Sequence, residues 1–529
     1  MFCDFLPESN EESLFLFPTN EEELFNIINS LKNKKSPGYD QISNELIKNV
    51  FPGIVKPLVH ILNLSIMTGV VPNKMKIAKV VPIFKKGNPQ LSNNYRPISL
   101  LTSFSKILEK IVYTRTIRFL NKNRIISNSQ FGFREKHSTT HAILHFIDKI
   151  SSALDNRKHT IGVFLDYSKA FDTVNHDILL SKLSHYGVRG IALEWYRSYL
   201  TNRKQYVSLD GFDSELLSVT HGVPQGSLLG PLLFIVYIND FQLSSNVLSF
   251  ILFADDSSVF LSHENPQTLS ERMNLELTNV TAWIHANKLS LNIQKTSYML
   301  FSNSLRELPD NVILTDVQVD RVTSTKFLGL HIDDKLSWKL HIDSISKLLS
   351  RNAGVMYKLK FVFPKSILCM LYSTLILPYL NYGVLAWGNS LKTHTKKLFL
   401  VQKRVVRIIN NSSFLAHTNN LFYQSKLLKV DDIYHLQLGC IMYKLNAGGL
   451  PQALATIFTK NHQVHAYFTR QASAFHLPSV RTKLALNSLI YIGPKYWNSL
   501  DSNITKAVSL SIFKCKLKHF LLDKYCVES

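Results

Sequence analysis

The chain has 529 residues, about three to four typical domain lengths, and 45% of them are hydrophobic while 19% are charged, so it can bury a sizeable core. Its 20 glycines and 18 prolines are too few for a collagen-like or Gly/Pro-rich low-complexity chain. The formal net charge of +22, from 60 Lys and Arg against 38 Asp and Glu, favours a polyanionic partner, nucleic acid first and an acidic membrane surface second.

Residue patterns in the first 200 positions alternate between helix and strand. Residues 21–50 show helical patterning, which Lys-Lys-Ser-Pro-Gly-Tyr-Asp interrupts at 34–40. The patterns that follow predict a strand at 77–84, a turn at 85–89, an amphipathic helix at 102–122, a short strand at 161–165 that ends on Asp166, and helices at about 175–186 and 190–200.

The stretch 248–262 predicts a tight β-hairpin. Two strand-like runs flank Ala254-Asp255-Asp256, so two acids are expected at the tip. Helical patterning returns at 267–287, and a strand pair is predicted at 297–302 and 326–332. From about residue 336 the chain is predicted to be mostly helical, basic and aromatic, with a domain boundary there and a weaker one near 410–425.

Positive charge is concentrated in the second half of the chain. Residues 1–30 carry seven acidic side chains and no Lys or Arg, so the other 499 residues hold a net +29. From Lys335 to Arg407 there are thirteen Lys or Arg and one acid, Asp343. Taken alone, such a stretch is explained equally well by solvated helix faces and by a binding surface.

Features that would place the chain in a membrane or outside the cell are weak. Residues 366–391 carry no charge over a length that spans a bilayer. Pro378, Asn381 and Gly383 interrupt them, so we predict a buried helical hairpin and no membrane partner. Five scattered cysteines without a C-x-x-C pair support neither a zinc knuckle nor a disulfide framework. With no signal peptide expected at the N-terminus, the sequence predicts an intracellular protein, in nucleus and cytoplasm.

Two acids at a hairpin tip and a third at the end of another strand form a candidate metal site. Carboxylate oxygens are the ligands that Mg²⁺ prefers, and it needs only one or two of them when substrate phosphates complete the shell. Asp166 and Asp255 are 89 positions apart, so the site requires their strands to be neighbours in one sheet. An Asp-Asp pair by itself is more often ordinary turn chemistry, and the larger set of residues has to carry the interpretation.

That larger set resembles the motifs of reverse transcriptases in their non-LTR retrotransposon form. Residues 164–174 (FLDYSKAFDTV) resemble the first palm motif, 222–231 (GVPQGSLLGP) the motif that contacts primer/template and nucleotide, and 253–256 (FADD) the catalytic hairpin, which usually begins with tyrosine. Further matches follow in the expected order at 94–101 (NYRPISLL), 130–134 (QFGFR) and 327–330 (FLGL), the last like a primer-grip turn. Segments 402–407 (QKRVVR) and 493–498 (GPKYWN) resemble the C-terminal part of jockey-like, LINE-type elements.

The resemblance implies a role for individual residues in the palm. Asp166, Asp255 and Asp256 would hold two Mg²⁺ ions, with Mn²⁺ as the alternative. Phe171 matches the steric gate that excludes a ribose 2′-hydroxyl, although a phenylalanine beside a strand end is also ordinary core. Gln225 and Gly226 would contact nucleotide and primer/template, and glycine there permits close approach of the backbone.

Four cationic residues complete the implied site. Arg96 matches the arginine that grips the incoming triphosphate, and Lys85 or Lys86 would supply a second positive charge. For the two lysines a solvated turn is an equally good explanation. Lys295 lies in residues 287–296 (NKLSLNIQKT), which match a motif whose lysine protonates the departing pyrophosphate.

Other catalytic classes find little support in the sequence. It contains no P-loop, no G-x-G-x-x-G and no H-E-x-x-H pattern. His137, His141 and His145 are spaced by four and would line one helix face, for which a polar surface is a better explanation than a metal site.

The resemblance therefore implies an α/β (α+β) right-hand polymerase with fingers, an antiparallel palm sheet, a helical thumb and a helical C-terminal region. The expected parts are an N-terminal extension with the first fingers motif at 1–60, fingers and palm at 61–335, a basic thumb-like region at 336–410, and a helical region of unknown role at 411–529. The implied activity is RNA-directed DNA synthesis by two-metal transfer of deoxynucleotides, with an RNA template, a DNA primer and unknown protein partners.

Two alternatives remain open from the sequence. An RNA-templated RNA polymerase shares the palm but usually has a small or polar gate, which Phe171 argues against. A degenerate or host-retained remnant would bind nucleic acid without catalysis, and the three aspartates argue against it. LINE-type elements commonly carry an upstream endonuclease and often a zinc knuckle, and the sequence shows neither, nor a convincing RNase H acid set.

Overall fold

The computed structural model describes residues 1–33, 36–303, 311–464 and 472–527. Elements of the first half are α1 (Glu21–Ser30), α2 (Asn44–Thr68), β1 (Ile77–Phe84), β2 (Tyr95–Leu100), α3 (Ser103–Lys122), α4 (Thr139–Asp155), β3 (His159–Leu165), α5 (His176–His185), α6 (Ile191–Leu200), β4 (Arg203–Leu209), β5 (Phe212–Asp213), β6 (Leu217–Val219), α7 (Leu229–Tyr237), β7 (Ser249–Phe253) and β8 (Asp256–His263). Lys34 and Lys35, in the predicted break at 34–40, lie outside the described residues.

The second half begins with a mixed segment and then becomes helical. Its elements are α8 (Pro266–Ala286), β9 (Ser297–Phe301), β10 (Ile313–Leu314), β11 (Val317–Gln318), β12 (Asp320–Arg321), β13 (Ser324–Phe327), β14 (Leu330–Asp333), α9 (Lys339–Leu359), α10 (Lys365–Leu375), α11 (Leu377–Asn381), α12 (Val384–Trp387), α13 (Lys392–Ile409), α14 (Asn419–Gln424), α15 (Val430–Asn446), α16 (Gln452–Ala455), α17 (Asn461–Val464), α18 (Lys483–Leu486), α19 (Leu489–Asn498), α20 (Ser502–Thr505) and α21 (Leu510–Val527). Short 3₁₀ turns lie at Phe2–Phe5, Asn73–Lys76, Ser92–Asn94 and Phe241–Ser244.

A central sheet with strand order β12-β9-β3-β8-β7 lies between two hydrophobic cores. Strand β3 pairs antiparallel with both β8 and β9. Its Ile161 and Val163 belong to the first core, whereas Phe164 packs against the second, because successive side chains of a strand point to opposite faces. Gly162 fits this crowded strand, since a Cβ there would lie 2.6 Å from the ring of Phe260.

Different parts of the chain build the two cores. Helices α1, α2, α3, α5, α6, α7 and α8 supply most of the first core. The second core is made from α4, from the other face of the central sheet and from the helices that follow β14. The central sheet is therefore buried on both sides, as a mixed sheet with helices on each face requires.

A second sheet has the strand order β2-β1-β4-β5, with β6 paired to β4. Its strands β1 and β2 come before β3 in the sequence, and β4, β5 and β6 come after it. Strands β1 and β2 form an antiparallel hairpin in which Ile83 pairs with Arg96. Strand β1 also pairs in parallel with β4. Three of the predicted cationic residues, Lys85, Lys86 and Arg96, lie at the loop end of this hairpin.

Most elements predicted from local patterns are confirmed. The strand at 77–84, the helix at 102–122 and the strand that ends on Asp166 lie within one or two residues of their predicted bounds. The change to helical structure after residue 336 is also confirmed.

Two predictions about the second half need correction. Residues 326–332 do not form one strand that pairs with 297–302, because the chain reverses at Leu328 (φ 44°) and Gly329 (φ 86°) to give the separate hairpin β13–β14. Strand β9 pairs with β3 and β12 instead.

The uncharged stretch at 366–391 divides into α10, α11 and α12 rather than a simple hairpin. Helix α11 begins beside Pro378, and α12 follows Gly383 in a left-handed conformation. Tyr372 is buried, but Tyr379 and Tyr382 are exposed. Among the described helices, only α2 is long and apolar enough to cross a membrane by length and composition, which is weak evidence, since a core helix meets the same criteria.

The proposed polar face of three histidines is wrong. His137 precedes α4, whereas His141 and His145 lie on it and are largely buried. Burial lowers the pKa of each of these two imidazoles to about 4, so both are neutral at pH 7. In the part of the chain that the structure describes, no group of three His, Cys, Asp or Glu is arranged to hold a metal ion.

Candidate active site

Three aspartates lie at one end of adjacent strands in the central sheet. Asp166 follows β3 directly, and Leu165, the last residue of that strand, pairs with Ser257 of β8. Asp256 is the first residue of β8 and pairs with Phe253, so the hairpin turn consists of Ala254 and Asp255. The hairpin tip is thus one residue shorter than predicted. Asp166 and Asp255 are 89 positions apart in sequence, and strand pairing brings them to the same end of the sheet, as the interpretation required.

The electrostatics of these carboxylates shows that they share one field. The side chains open to solvent, yet the surrounding protein desolvates them enough to raise the pKa of Asp255, with the charge of Asp166 as a further cause. Desolvation and then the charges of Asp255 and Asp166 raise the pKa of Asp256 to about 6. Negative charges grouped in this way attract cations.

The donor set fits a divalent cation that is bound together with substrate. Carboxylate oxygens suit Mg²⁺, which takes one or two protein ligands when phosphates and water supply the rest. Among the described residues no group of three His, Cys, Asp or Glu is arranged to hold a metal ion by itself, so an ion at these aspartates would need phosphate or water to complete its shell.

Lys295 places its ammonium group against the first aspartate. Its Nζ lies 3.5 Å from Oδ2 of Asp166. Backbone bonds hold the surrounding segment to the same loop, since the amide of Asn292 donates to the carbonyl of Asp166 (2.7 Å) and that of Ser168 donates to the carbonyl of Ser290 (2.8 Å). The position of Lys295 beside the site follows from this backbone pairing.

The charges of two predicted cations on the β1–β2 hairpin act on the aspartates. The positive charges of Lys85 and Arg96 lower the pKa of Asp255 against the effect of burial, and Lys85 acts on Asp256 in the same direction. Lys86 lies next in the turn and is exposed, and it is not among the charges that act on either carboxyl group. The structure therefore brings Lys85 and Arg96 to the site and leaves Lys86 beside it.

The loop before α7 connects the central sheet with the β1–β2 hairpin. Gln225 donates from Nε2 to Oδ1 of Asp172 (2.9 Å), and its carbonyl accepts from the amide of Ser99 on β2 (2.7 Å). Gly226 has φ 120°, and a Cβ there would lie 2.7 Å from the carbonyl oxygen of Ser99. A cavity of about 300 Å³ opens at this junction, with Ser99, Asp172 and Gln225 in its lining.

Phe171 combines features of both predicted interpretations. Its ring stacks on Phe234 of α7, with centroids 4.5 Å apart and planes at 26°, and its carbonyl accepts from the amide of Val223 (2.8 Å). The residue is half-buried. One face of the ring is therefore packed on Phe234, which fixes its position, while the side chain remains partly accessible to solvent.

Gln130 supports the turn that carries Asp255. This residue lies in the 130–134 motif, and the sequence predicted no role for it. The buried Oε1 of Gln130 accepts from the amide of Ala254 (3.1 Å) and from that of Gly132 (2.8 Å). Ala254 holds a left-handed φ of 57°. The approach is so close that a Cβ at Gly132 would lie 2.4 Å from the Ala254 nitrogen. The position of Gln130 in the 130–134 motif marked it in the sequence, but the motif did not indicate that this residue supports the turn at Ala254.

A buried glutamate that the sequence analysis missed anchors the start of α7. Glu109 accepts from the hydroxyl of Tyr199 (2.8 Å) and from the amide of Leu228 (2.7 Å). Complete burial raises its pKa. An acid between apolar residues on the predicted helix 102–122 was the signal that could have found it.

Comparison with known proteins finds a family that part of the chain matches. Residues 83–332 match the family described as reverse transcriptase (RNA-dependent DNA polymerase). This match and the curated relatives below support a reverse transcriptase of the non-LTR retrotransposon kind. The mixed helices and sheets of the structure, together with this match, confirm the predicted fold class, an α/β right-hand polymerase.

Two curated proteins that resemble this chain come from mobile elements of Drosophila melanogaster. The chain is 27% identical over 488 residues to the RNA-directed DNA polymerase from mobile element jockey of Drosophila melanogaster, which covers 89% of this chain and 53% of the relative. It is 29% identical over 455 residues to the probable RNA-directed DNA polymerase from transposon BS of the same organism, with 81% and 49% covered. The chain thus spans about half the length of the curated relatives it matches. Polymerases of this family generally use divalent metal ions.

Proposed function

We propose that this chain is an RNA-directed DNA polymerase of a non-LTR retrotransposon, which extends a DNA primer on an RNA template with deoxynucleotides. The observation that carries the proposal is the placement of Asp166, Asp255 and Asp256 at one end of the central sheet, with the charges of Lys85 and Arg96 acting on them. Negative charge for metal binding and positive charge for a triphosphate are both needed for nucleotidyl transfer.

The three aspartates would hold two Mg²⁺ ions, or Mn²⁺ in their place. Such ions activate the primer 3′-hydroxyl and stabilise charge on the phosphoryl oxygens. The shared field of the three carboxylates supports this assignment.

The cations around the site would bind and orient the triphosphate. Arg96 presents a planar fork for phosphate oxygens and Lys85 a compact charge, with Lys86 as a peripheral contributor. Lys295, now paired with Asp166 at 3.5 Å, would turn to the departing pyrophosphate and protonate it.

Neighbouring residues would select and align the nucleotide. Phe171, whose ring is fixed by Phe234, would crowd a ribose 2′-oxygen and so favour deoxynucleotides. Gln225 and Gly226 would present backbone and amide to the nucleotide and the template strand.

The basic helices after residue 336 would follow the backbone of the primer/template duplex as a thumb. Phosphate contacts of this kind give affinity without sequence specificity. The division into regions at 60, 335 and 410 and a location in nucleus and cytoplasm remain parts of the proposal.

Primer extension on poly(rA)/oligo(dT) with Mg²⁺ tests the proposal directly. We expect Asp255→Asn to abolish extension, because it removes negative charge where the metal ions bind, while primer/template binding in a filter assay is retained. Asp316→Asn is the matched control, since Asp316 is exposed in the turn between β10 and β11, two strands that are not part of the central sheet. Extension by Asp255→Asn above a tenth of the wild-type rate would refute the assignment, and an inactive wild-type chain that still binds primer/template would favour the degenerate remnant.

A further inference from the structure

An aromatic surface lies exposed where α9 turns into α10. We call the aromatic tip the side chains at this turn and in the loop after α13 that are apolar yet open to solvent: Tyr357, Phe361, Val362, Phe363, Phe414 and Leu415. Phe361 is 73% exposed and Phe414 80%. Large apolar side chains that are grouped in this way mark an interaction surface more often than scattered single ones do.

Lysine holds the first part of the aromatic tip in shape. The ammonium of Lys360 lies 4.8 Å from the ring centroid of Tyr357 and 4.9 Å from that of Phe361. The two rings meet edge to face with centroids 5.8 Å apart. Cation–π contacts of this kind order the rings and keep a positive charge at the surface.

Hydrogen bonds join this turn to the loop after α13. Lys360 donates to Oδ1 of Asn411 (3.4 Å) and Lys365 donates to Oδ1 of Asn410 (2.7 Å). In that loop the guanidinium of Arg407 lies 5.8 Å from the ring of Phe414. The aromatic tip is therefore one surface made by two segments, and each segment pairs an exposed ring with a cation.

The charge of this region is of one sign over a long stretch. Residues 344–430 contain thirteen Lys or Arg and no Asp or Glu. The cations of the aromatic tip accordingly contact rings and amide oxygens rather than carboxylates, and their charge is left for an anion from outside. Exposed rings together with unneutralised cations are the two components of a single-strand nucleic-acid platform.

We propose that the aromatic tip binds single-stranded nucleic acid, with unpaired bases stacked on Phe361 and Phe414 and phosphates on Lys360, Lys365 and Arg407. A duplex contacts a protein surface through its backbone, whereas stacking on a side chain requires the free face of an unpaired base. A second protein or an anionic membrane would use the same apolar area, but neither requires aromatic rings. This site is separate from the aspartates and does not depend on polymerase activity.

Fluorescence anisotropy with the full chain and a labelled oligo(dT) tests the inference. We expect Phe361→Ala combined with Phe414→Ala to weaken binding about 10-fold or more. An abasic strand of the same length keeps the phosphates and lacks the bases, so the wild type should bind it more weakly than oligo(dT). The double variant should bind the abasic strand almost as well as the wild type does. Phe361→Tyr should retain binding of oligo(dT), and Phe361→Leu should not, since leucine keeps apolar area without a π face.

An exposed ring elsewhere in the chain, that of Phe15, provides the control. Phe15→Ala removes a ring that is 68% exposed and packed beside Phe17 in the N-terminal segment, and it should leave oligo(dT) binding unchanged. Equal loss for the abasic strand, or full rescue by Phe361→Leu, would overturn stacking. Lost binding to phosphatidylserine/phosphatidylcholine vesicles with oligo(dT) affinity intact would assign the surface to membranes instead. Extension on a template with a one-nucleotide overhang should persist in the double variant, so failure of this inference is distinguishable from failure of the proposed function.

Discussion

The contact between Gln130 and Ala254 gives a quantitative prediction about the catalytic turn. Gln130→Leu keeps the approximate volume of the side chain and removes the oxygen that accepts from the amides of Ala254 and Gly132. Among the described residues, Nε2 of Gln130 has no hydrogen-bond partner. The substitution therefore removes only the two hydrogen bonds that Oε1 accepts.

The cost follows from the geometry. Two buried N–H groups would lose their acceptor at about 1–3 kcal/mol each, and one of them belongs to Ala254, whose left-handed φ of 57° is itself unfavourable by about 1 kcal/mol. If the turn relaxes to recover hydrogen bonds, Asp255 moves with it. We therefore expect kcat to fall about 10- to 100-fold, equivalent to about 1.4–3 kcal/mol, while KM for the deoxynucleotide changes less than about 3-fold.

Steady-state primer extension and a thermal melt of each variant provide the measurement. Gln242→Leu is the matched control, because Oε1 of Gln242 accepts from the hydroxyls of Ser127 (2.6 Å) and Ser129 (3.0 Å) and so holds the same segment without touching the turn. It should lower the melting temperature and spare kcat. If Gln130→Leu loses only melting temperature, with kcat within twofold of the wild type, Gln130 stabilises the fold and does not position the turn.

Three further predictions address selectivity, acid stability and affinity. Phe171→Val should raise incorporation of GTP relative to dGTP by about one to three orders of magnitude on one RNA template, and an unchanged ratio with persisting dGTP use would leave Phe171 as a packing residue on Phe234. Burial lowers the pKa of His141 and His145 to about 4, below the value of 6.5 expected in the unfolded chain. The unfolded chain therefore binds more protons between these pH values, and stability falls as pH drops through that window. Replacing both by leucine should reduce this fall, measured by urea unfolding, by about 3 kcal/mol for each histidine, and an equal fall would contradict the assignment. Charge reversal at Lys403 or Arg404 should weaken every primer/template alike and lower the slope of log K against log salt, and loss confined to one sequence would contradict a phosphate-tracking role.

Local sequence patterns correctly predicted the elements whose alternation of hydrophobic and polar side chains lies within a single continuous segment. Strand β1 and helix α3 are examples, since each has its own hydrophobic alternation and clear turn residues on either side. The pattern failed at 326–332, where apolar residues continue through the reversal at Leu328 and Gly329. Hydrophobic period alone does not distinguish a straight strand from a two-residue turn with apolar flanks.

Residues of the candidate site were predictable to the extent that they belong to ordered motifs. The motifs placed Asp166, Asp255 and Asp256 together, and in the structure the pairing of β3 with β8, and of β8 with β7, brings them to one end of the sheet. Support for these residues could not be predicted in the same way. Gln130 is 124 positions from Ala254 and Glu109 is 119 from Leu228, and a contact at that separation is set by tertiary packing rather than by any local pattern.

The position of the catalytic sheet between two cores explains why the C-terminal helices matter for the site. Helix α4 packs on the sheet from the side of the second core. Its last residue, Asp155, accepts from the backbone amides of Arg481 (2.9 Å) and Thr482 (2.6 Å), and these bonds lower the pKa of Asp155 against desolvation. A segment more than 300 positions away is therefore bound to the helix that covers the reverse face of β3. Phe164, two residues before Asp166, packs into that same core, so the C-terminal helices complete the burial that fixes the strand on which the first aspartate is carried.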